Sequence, residues 1–218
     1  MSHLTAVAVS AFLLAATSAF ANEPVPQPLQ PKSVIDNDNA GTGPVRYKIA
    51  QNTKPGAAAA ATASAQLKTA DGKDVGTVTL TQTRAGVRLA LALKGLPPGE
   101  HAFHVHSVGK CEPPGFTSAG PHFNPEQKKH GKLNKEGHHA GDMDNIRVPA
   151  GGNLTVAVVD KDITLEKGKP NSVFQDSGTA LVIHANKDDY MTDPAGNAGD
   201  RIACGVIGEG APKPAAAR

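Results

Sequence analysis

In five stretches between Ala63 and Val158, apolar residues recur at every second position. Val87, Leu89, Leu91 and Leu93 alternate with Arg88, Ala90, Ala92 and Lys94, and Val78 and Leu80 sit between threonines. Ala63-x-Ala65-x-Leu67, Phe103-x-Val105 and Leu154-x-Val156-x-Val158 repeat the pattern. A period of two marks strands with one buried face. Turn signals at Asp71-Gly72, Pro97-Pro98-Gly99 and Gly151-Gly152 separate these stretches, and none shows a helical period. The pattern predicts an all-β fold, a sandwich or barrel of closely packed sheets.

One region breaks the alternation. From about Val108 to Val148 the chain has eight Gly or Pro positions before Asn134 and no alternating run. A loop of that length inside a compact domain needs something to pin it. The pins available are Cys111 and four histidines.

The ends read differently. Residues 1–21 carry no Lys, Arg, Asp or Glu, run apolar from Leu4 to Thr17, and close on Ala19-Phe20-Ala21, the small-x-small pattern of a signal-peptide cleavage site. Mature protein is expected to begin at Asn22, in the periplasm or secreted. Residues 22–61 are Pro-rich, then polar, then Ala-rich, without an apolar face, and read as a flexible tether in which Val45–Ile49 offers at most a short strand. Residues 209–218 read as a disordered tail, which leaves a single domain over 62–208.

Composition narrows the function classes. The 218 residues hold 22 Lys+Arg against 20 Asp+Glu, a formal charge of +2, and only 4% aromatics, so no basic stripe with interleaved aromatics suits a nucleic acid. No apolar run reaches the eighteen or so residues of a membrane span, so membrane insertion is not expected. The two cysteines, Cys111 and Cys204, lie in no C-x-x-C motif, and in an exported chain they are expected to form a disulfide.

Eight of the nine histidines fall between 101 and 184. His104 and His106 are two apart on a predicted strand, so both project from one face, roughly 7 Å apart at Cα for a rise near 3.3 Å per residue. His122, His130, His139 and Asp142 follow at intervals of eight, nine and three, and His184 ends the apolar run Ala180–Ile183. Six histidines and one carboxylate fall one short of two four-coordinate sites, a deficit that one bridging imidazole removes. An all-imidazole set suits copper, and three imidazoles with an aspartate suit tetrahedral zinc. A lone His-x-His on a strand is more often hydrogen-bonded than ligating; here the convergence of seven ligands favours metals.

Gly99-Glu100-His101-Ala102-Phe103-His104-Val105-His106, Thr117–Pro125, His139-Ala140-Gly141-Asp142 and Gly196–Ile207 together resemble copper/zinc superoxide dismutase over nearly all of 62–208. The resemblance implies an eight-stranded Greek-key β-sandwich or barrel, immunoglobulin-like, with long metal-binding and electrostatic loops. It implies copper on His104, His106, His122 and His184, and zinc on His122, His130, His139 and Asp142, one of each per chain. It makes Asp188 a carboxylate behind His104 and His130, His101 a structural histidine, and His122 and Arg201 the catalytic pair. His122 would bridge the metals and carry a proton, and Arg201 would guide the anion. The implied reaction converts two superoxide anions and two protons to O2 and hydrogen peroxide, with a non-enzymatic copper/zinc carrier on the same fold as the alternative. His138 reads as exposed. The chain departs from animal members in a shorter 184–201 loop, in Ala195 at a channel threonine, in Asp200 beside Arg201, and in Ala102 at a customary glycine. Lys128, Lys129, Lys132 and Lys135 are candidates for steering, and the Ser118–Pro125 stretch leans toward a homodimer.

Overall fold

The computed structural model describes residues 60–210; the signal-peptide and tether readings lie almost wholly outside them. The elements are β1 (Thr62–Lys68), β2 (Asp74–Thr83), β3 (Gly86–Leu93), β4 (Gly99–His101), β5 (Phe103–His106), β6 (Ile146–Val148), β7 (Leu154–Asp160), β8 (Ala180–His184), β9 (Arg201–Val206) and β10 (Gly208–Glu209). A single 3-10 turn, Thr117–Ala119, interrupts the long loop. No helix among the described residues is long and apolar enough to cross a membrane.

All pairings between strands are antiparallel, in the order β5-β8-β9-β1-β2-β3-β7, with β4 and β6 forming a separate pair. Only Ala102 separates β4 from β5, so the two are one strand with a break, and the barrel is the expected eight strands plus the two-residue β10. Leaving β3, next to the β7 end of the ladder, the chain crosses to the strand formed by β4 and β5 at the other end, a Greek-key connection. Inner-face residues of β1, β2, β3, β5, β6, β7, β8 and β9 meet in one core cluster, so the sheet curls around a shared interior. Glu209 pairs with Ala63 through β10, so ordered pairing extends just past the expected start of the tail.

The alternation predicted for β1 and β3 is followed position by position: Ala63, Ala65, Leu67, Val87, Leu89, Leu91 and Leu93 are all buried. β7 departs from it. Leu154 is buried and Val158 packs against the core, but Val156 is 38% exposed, because β7 is an edge strand with a neighbour, β3, on one side only. β8, the apolar run that ends at His184, has all five residues buried. Its Leu181 and Ile183 enter the main core, while Ala180 and Val182 pack with Phe116, Ala119 and Cys204 in a second cluster beneath the Cys111 loop. A strand covered on both faces reads as a continuous apolar run.

The disulfide between Cys111 and Cys204 ties that loop to β9, with Cα atoms 5.7 Å apart and a sequence separation of 93. On a chain-entropy model, closing a loop of that size stabilises the fold by about 4 to 5 kcal/mol.

Asp160, at the end of β7, is buried; Oδ1 accepts a hydrogen bond from the Asp162 N–H at 2.8 Å and Oδ2 has no partner. Burial pushes its carboxyl up to about 7, against the opposing hydrogen bond from the Asp162 N–H. An unfolded aspartate titrates near 4, so between about pH 4 and pH 7 the folded chain holds a proton that the unfolded chain releases. This group therefore lowers stability as pH rises through that window and adds nothing further above it. Urea midpoints measured from pH 4 to 8 are expected to show this fall in the wild type and to lose it in Asp160→Asn.

Candidate metal centre

β5 carries His104 and His106 between two partners. On one side it pairs with β8, which ends at His184. On the other it receives the long loop: Phe123 N–H donates to the Val105 carbonyl (2.8 Å), Val105 N–H to Gly141 (3.0 Å), and Gly141 N–H to Phe123 (2.9 Å). This stitching sets His122 opposite His106 and Asp142 opposite His104. The loop that lacks a sequence period is thus held by backbone pairing to the strand bearing the His-x-His motif.

Two buried clusters of four result, with a three-residue group, His104, His130 and Asp188, between them. His104, His106, His122 and His184 each offer a ligand atom within 4.8 Å of the others, as do His122, His130, His139 and Asp142. His122 belongs to both. The hydrogen-bond acceptors around the rings decide where each lone pair points. The His104 Nε2–H donates to Asp188 Oδ2 (2.8 Å), leaving its Nδ1 free, and the His130 Nε2–H donates to Asp188 Oδ1 (3.0 Å), with its Nδ1 turned to Asp142. His106 donates from Nδ1 to the Gly120 carbonyl (2.8 Å) and His184 from Nδ1 to the Gly199 carbonyl (3.2 Å), leaving two Nε2 lone pairs 3.4 Å apart. His104 Nδ1 and His122 Nε2 are buried with no hydrogen-bond partner. Buried polar atoms without partners are costly and rare, and four lone pairs facing one another fit a cation. In the second cluster Asp142 Oδ1 lies 2.9, 3.1 and 3.2 Å from Nδ1 of His122, His130 and His139. Its Oδ2 accepts from the backbone N–H groups of Gly131 and His139, which fixes the carboxylate.

The electrostatics of the two clusters differ. Burial holds His104 below the usual range, His106 well below it, and His122 and His184 down at about 4. The first cluster therefore stays neutral near pH 7 with its lone pairs available. At His130 burial acts in the same direction, but hydrogen bonds to Asp142 and Asp188 outweigh it and raise the ring to about 9. Burial would raise both of those carboxylates, yet their hydrogen bonds from histidines prevail and hold them well below the carboxylate range. With the chain's own groups alone, a cation entering the second cluster must displace a proton from His130.

Arg201 opens β9 and is half-buried; its Nη1 and Nη2 donate to the carbonyls of Phe116 (2.7 Å) and Gly120 (2.8 Å). Burial lowers its guanidinium somewhat, but arginine stays cationic at any physiological pH. Among the described residues Asp200 forms no ion pair with it. Three of the lysines considered for steering are matched locally: Lys128 with Glu126 (2.6 Å), Lys129 with Asp193 (3.6 Å) and Lys132 with Asp144 (2.8 Å). Their field at a distance is correspondingly reduced. His101 is buried, with its ring nitrogens 2.8 Å from the His184 carbonyl and 2.9 Å from that of Pro97. His138 is not free in solvent as expected; its Nε2 lies 3.0 Å from Asp162.

Several contributing residues carry no signal in the sequence pattern. Asp193 accepts a hydrogen bond from the His130 backbone N–H (2.6 Å), and Asn145 and Tyr190 contact Asp188. Gly196, at φ +64°, covers the Asp188–His130 bond so closely that a Cβ there would lie 1.9 Å from Asp188 Oδ1 and 2.6 Å from His130 Nε2. Only the Gly-Asn-Ala-Gly motif hinted at its importance.

A family model described as copper/zinc superoxide dismutase matches residues 75–207. The chain belongs to that family. It is 57% identical over 137 residues to copper/zinc superoxide dismutase 1 of Aquifex aeolicus, covering 62% of this chain and 81% of that protein. To the copper/zinc superoxide dismutase of Caulobacter vibrioides it is 44% identical over 148 residues, covering 66% and 84%. The crystal structure of a SOD-like protein from Bacillus subtilis aligns with a TM-score of 0.64 at 39% identity, covering 66% of this chain and 96% of that one. The family's two metals, copper and zinc, match the number and donor chemistry of the two clusters.

Gly196→Ala is expected to part Asp188 from His130 and to lower retained metal several-fold, as loss of partners behind ligands does. Elemental analysis after dialysis against a mild chelator measures this directly.

Proposed function

We propose that the protein is a superoxide dismutase, converting two superoxide anions and two protons to O2 and hydrogen peroxide. The observation that carries this reading is His122, which faces one cluster with an unpartnered, buried Nε2 and the other with Nδ1 beside Asp142. The all-imidazole cluster of His104, His106, His122 and His184 is assigned to copper, and the cluster of His122, His130, His139 and Asp142 to zinc. Copper, when bound, supplies one-electron chemistry in both directions, while zinc supplies none and acts structurally.

The chain's own groups do the rest. Asp188, Gly120 and Gly199 hold the tautomers that point lone pairs inward. The Nε2 of His122 takes up a proton and delivers it to the anion being reduced, while Nδ1 keeps the ring attached to the Asp142 side. Arg201, held by two carbonyls, places a fixed positive charge beside His106 through their common acceptor, Gly120. Fields of this kind raise capture of small anions by about 10- to 1000-fold; the handling of superoxide by this enzyme family is the standard example of the effect. The apolar run at residues 4–17, the Ala19-Phe20-Ala21 site and the disulfide support export and cleavage near Ala21, to the periplasm or outside the cell.

The carrier reading is not favoured, because all four imidazoles of the first cluster are present with an arginine beside them. Metal analysis with a superoxide assay tests the function: one copper and one zinc per chain with fast dismutation is expected, and bound metal without dismutation would refute it. Arg201→Ala is expected to slow dismutation about tenfold at low ionic strength and matched copper content, and to flatten the salt dependence. Arg201→Lys keeps the charge but cannot span both carbonyls, so an intermediate rate is expected.

A further inference from the structure

Asp188 bonds to His104 of the first cluster and to His130 of the second, and it sits on a loop rather than on a strand. Something must hold that loop still. The side chain of Asn145 pairs with the Asp188 backbone in both directions, Nδ2 donating to its carbonyl (2.9 Å) and Oδ1 accepting from its N–H (2.8 Å). Tyr190 completes the arrangement. Its N–H donates to Asp188 Oδ1 (2.6 Å), its phenol oxygen accepts from the Asn145 N–H (2.8 Å), and its carbonyl accepts from the Leu133 N–H (2.9 Å). The approach on that last side is close, since a Cβ on Gly131 would lie 2.2 Å from the Tyr190 oxygen.

Tyr190 thereby joins three segments that each carry part of the centre. Gly131 and Leu133 follow His130, Asn145 lies three residues after Asp142, and Asp188 stands between the two clusters. Tyr190 does so at φ +62°, in the left-handed region that a bulky side chain adopts only when its surroundings over-determine it. The phenol contact supplies part of that constraint. Without it, one of the three contacts that hold this conformation is lost.

We propose that Tyr190 is a positioning residue of the dinuclear centre, locking Asp188 through Asn145 so that Nδ1 of His104 and of His130 stay aimed at the metals. The inference rests on the assignment of zinc and copper to the two clusters. It adds a ring hydroxyl that touches neither metal, ligand nor substrate, yet sets how firmly both metals are held.

The test uses the mature, zinc- and copper-loaded protein and Tyr190→Phe, which removes one oxygen and leaves the ring. Zinc release to an excess of chelator is followed together with the visible absorption of bound copper and the melting temperature of the metal-free chain. Partners behind metal ligands affect affinity by about 10- to 100-fold. Tyr190→Phe is therefore expected to release zinc about tenfold faster and to shift the copper band, while the metal-free melting temperature stays within about two degrees of wild type. Asn145→Ala is expected to speed release similarly, and the double variant to do no more than the stronger single one, because both act along one path. Release within twofold of wild type would overturn the proposal, as would additive effects in the double variant or an equal loss of stability in the metal-free chain. A wild-type protein that retains no zinc would remove the metal assignment and this inference with it; retention of zinc beside an unaffected Tyr190→Phe would remove the inference alone.

Discussion

A neutral imidazole has one hydrogen to give and one lone pair to offer, and in this fold a fixed oxygen decides the place of that hydrogen for three of the rings. Asp188 takes the hydrogen of His104, the Gly120 carbonyl that of His106, and the Gly199 carbonyl that of His184, while His130 gives one hydrogen to Asp188 and another to Asp142. Every lone pair left over points inward. The arrangement needs buried carboxylates to remain ionised, which is unfavourable in a low-dielectric interior unless each is fully hydrogen-bonded. Asp142 and Asp188 meet that condition with backbone N–H groups as well as histidines. Stability and metal readiness therefore depend on the same contacts.

The barrel makes those contacts possible by offering a strand with two usable edges. β5 is paired to β8 on one side and to the loop on the other, so residues forty positions apart reach one volume without a helix or second domain. Beneath the loop, the two-faced packing of β8 and the Cys111–Cys204 bond fix the segment that presents Phe116 and Gly120 to Arg201. The rigid part of the protein thus ends where the chemistry begins.

Local regularity was readable from the residues, and tertiary exception was not. β1 and β3 follow their period because each lies inside the sheet with one face on the core. The same period at β7 misjudges Val156, since periodicity reports which way a side chain points and says nothing of whether another strand covers it. His104 and His106 fall together because a strand repeats every two residues, whereas His122, His130, His139 and Asp142 could be grouped only by residue type and by resemblance. Asn145, Tyr190 and Asp193 act largely through, or upon, backbone amides and carbonyls, and Gly196 acts by having no side chain. No pattern of residue types encodes such roles. The pairing of Lys128, Lys129 and Lys132 with nearby acids was equally hidden, because it depends on how the loop folds back on itself and, for Lys129, on a distant part of the chain.

The Gly120 carbonyl accepts from two donors at 2.8 Å, the His106 ring and the Arg201 guanidinium. Donors that share one oxygen compete for its electron density. The stronger the hold of the cationic donor, the weaker the pull on the imidazole hydrogen and the poorer that ring is as an electron-pair donor through its other nitrogen. Electrostatic attraction at the surface and ligand-field strength in the interior are thus not separable quantities in this protein: a side chain exchanged at position 201 alters both at once.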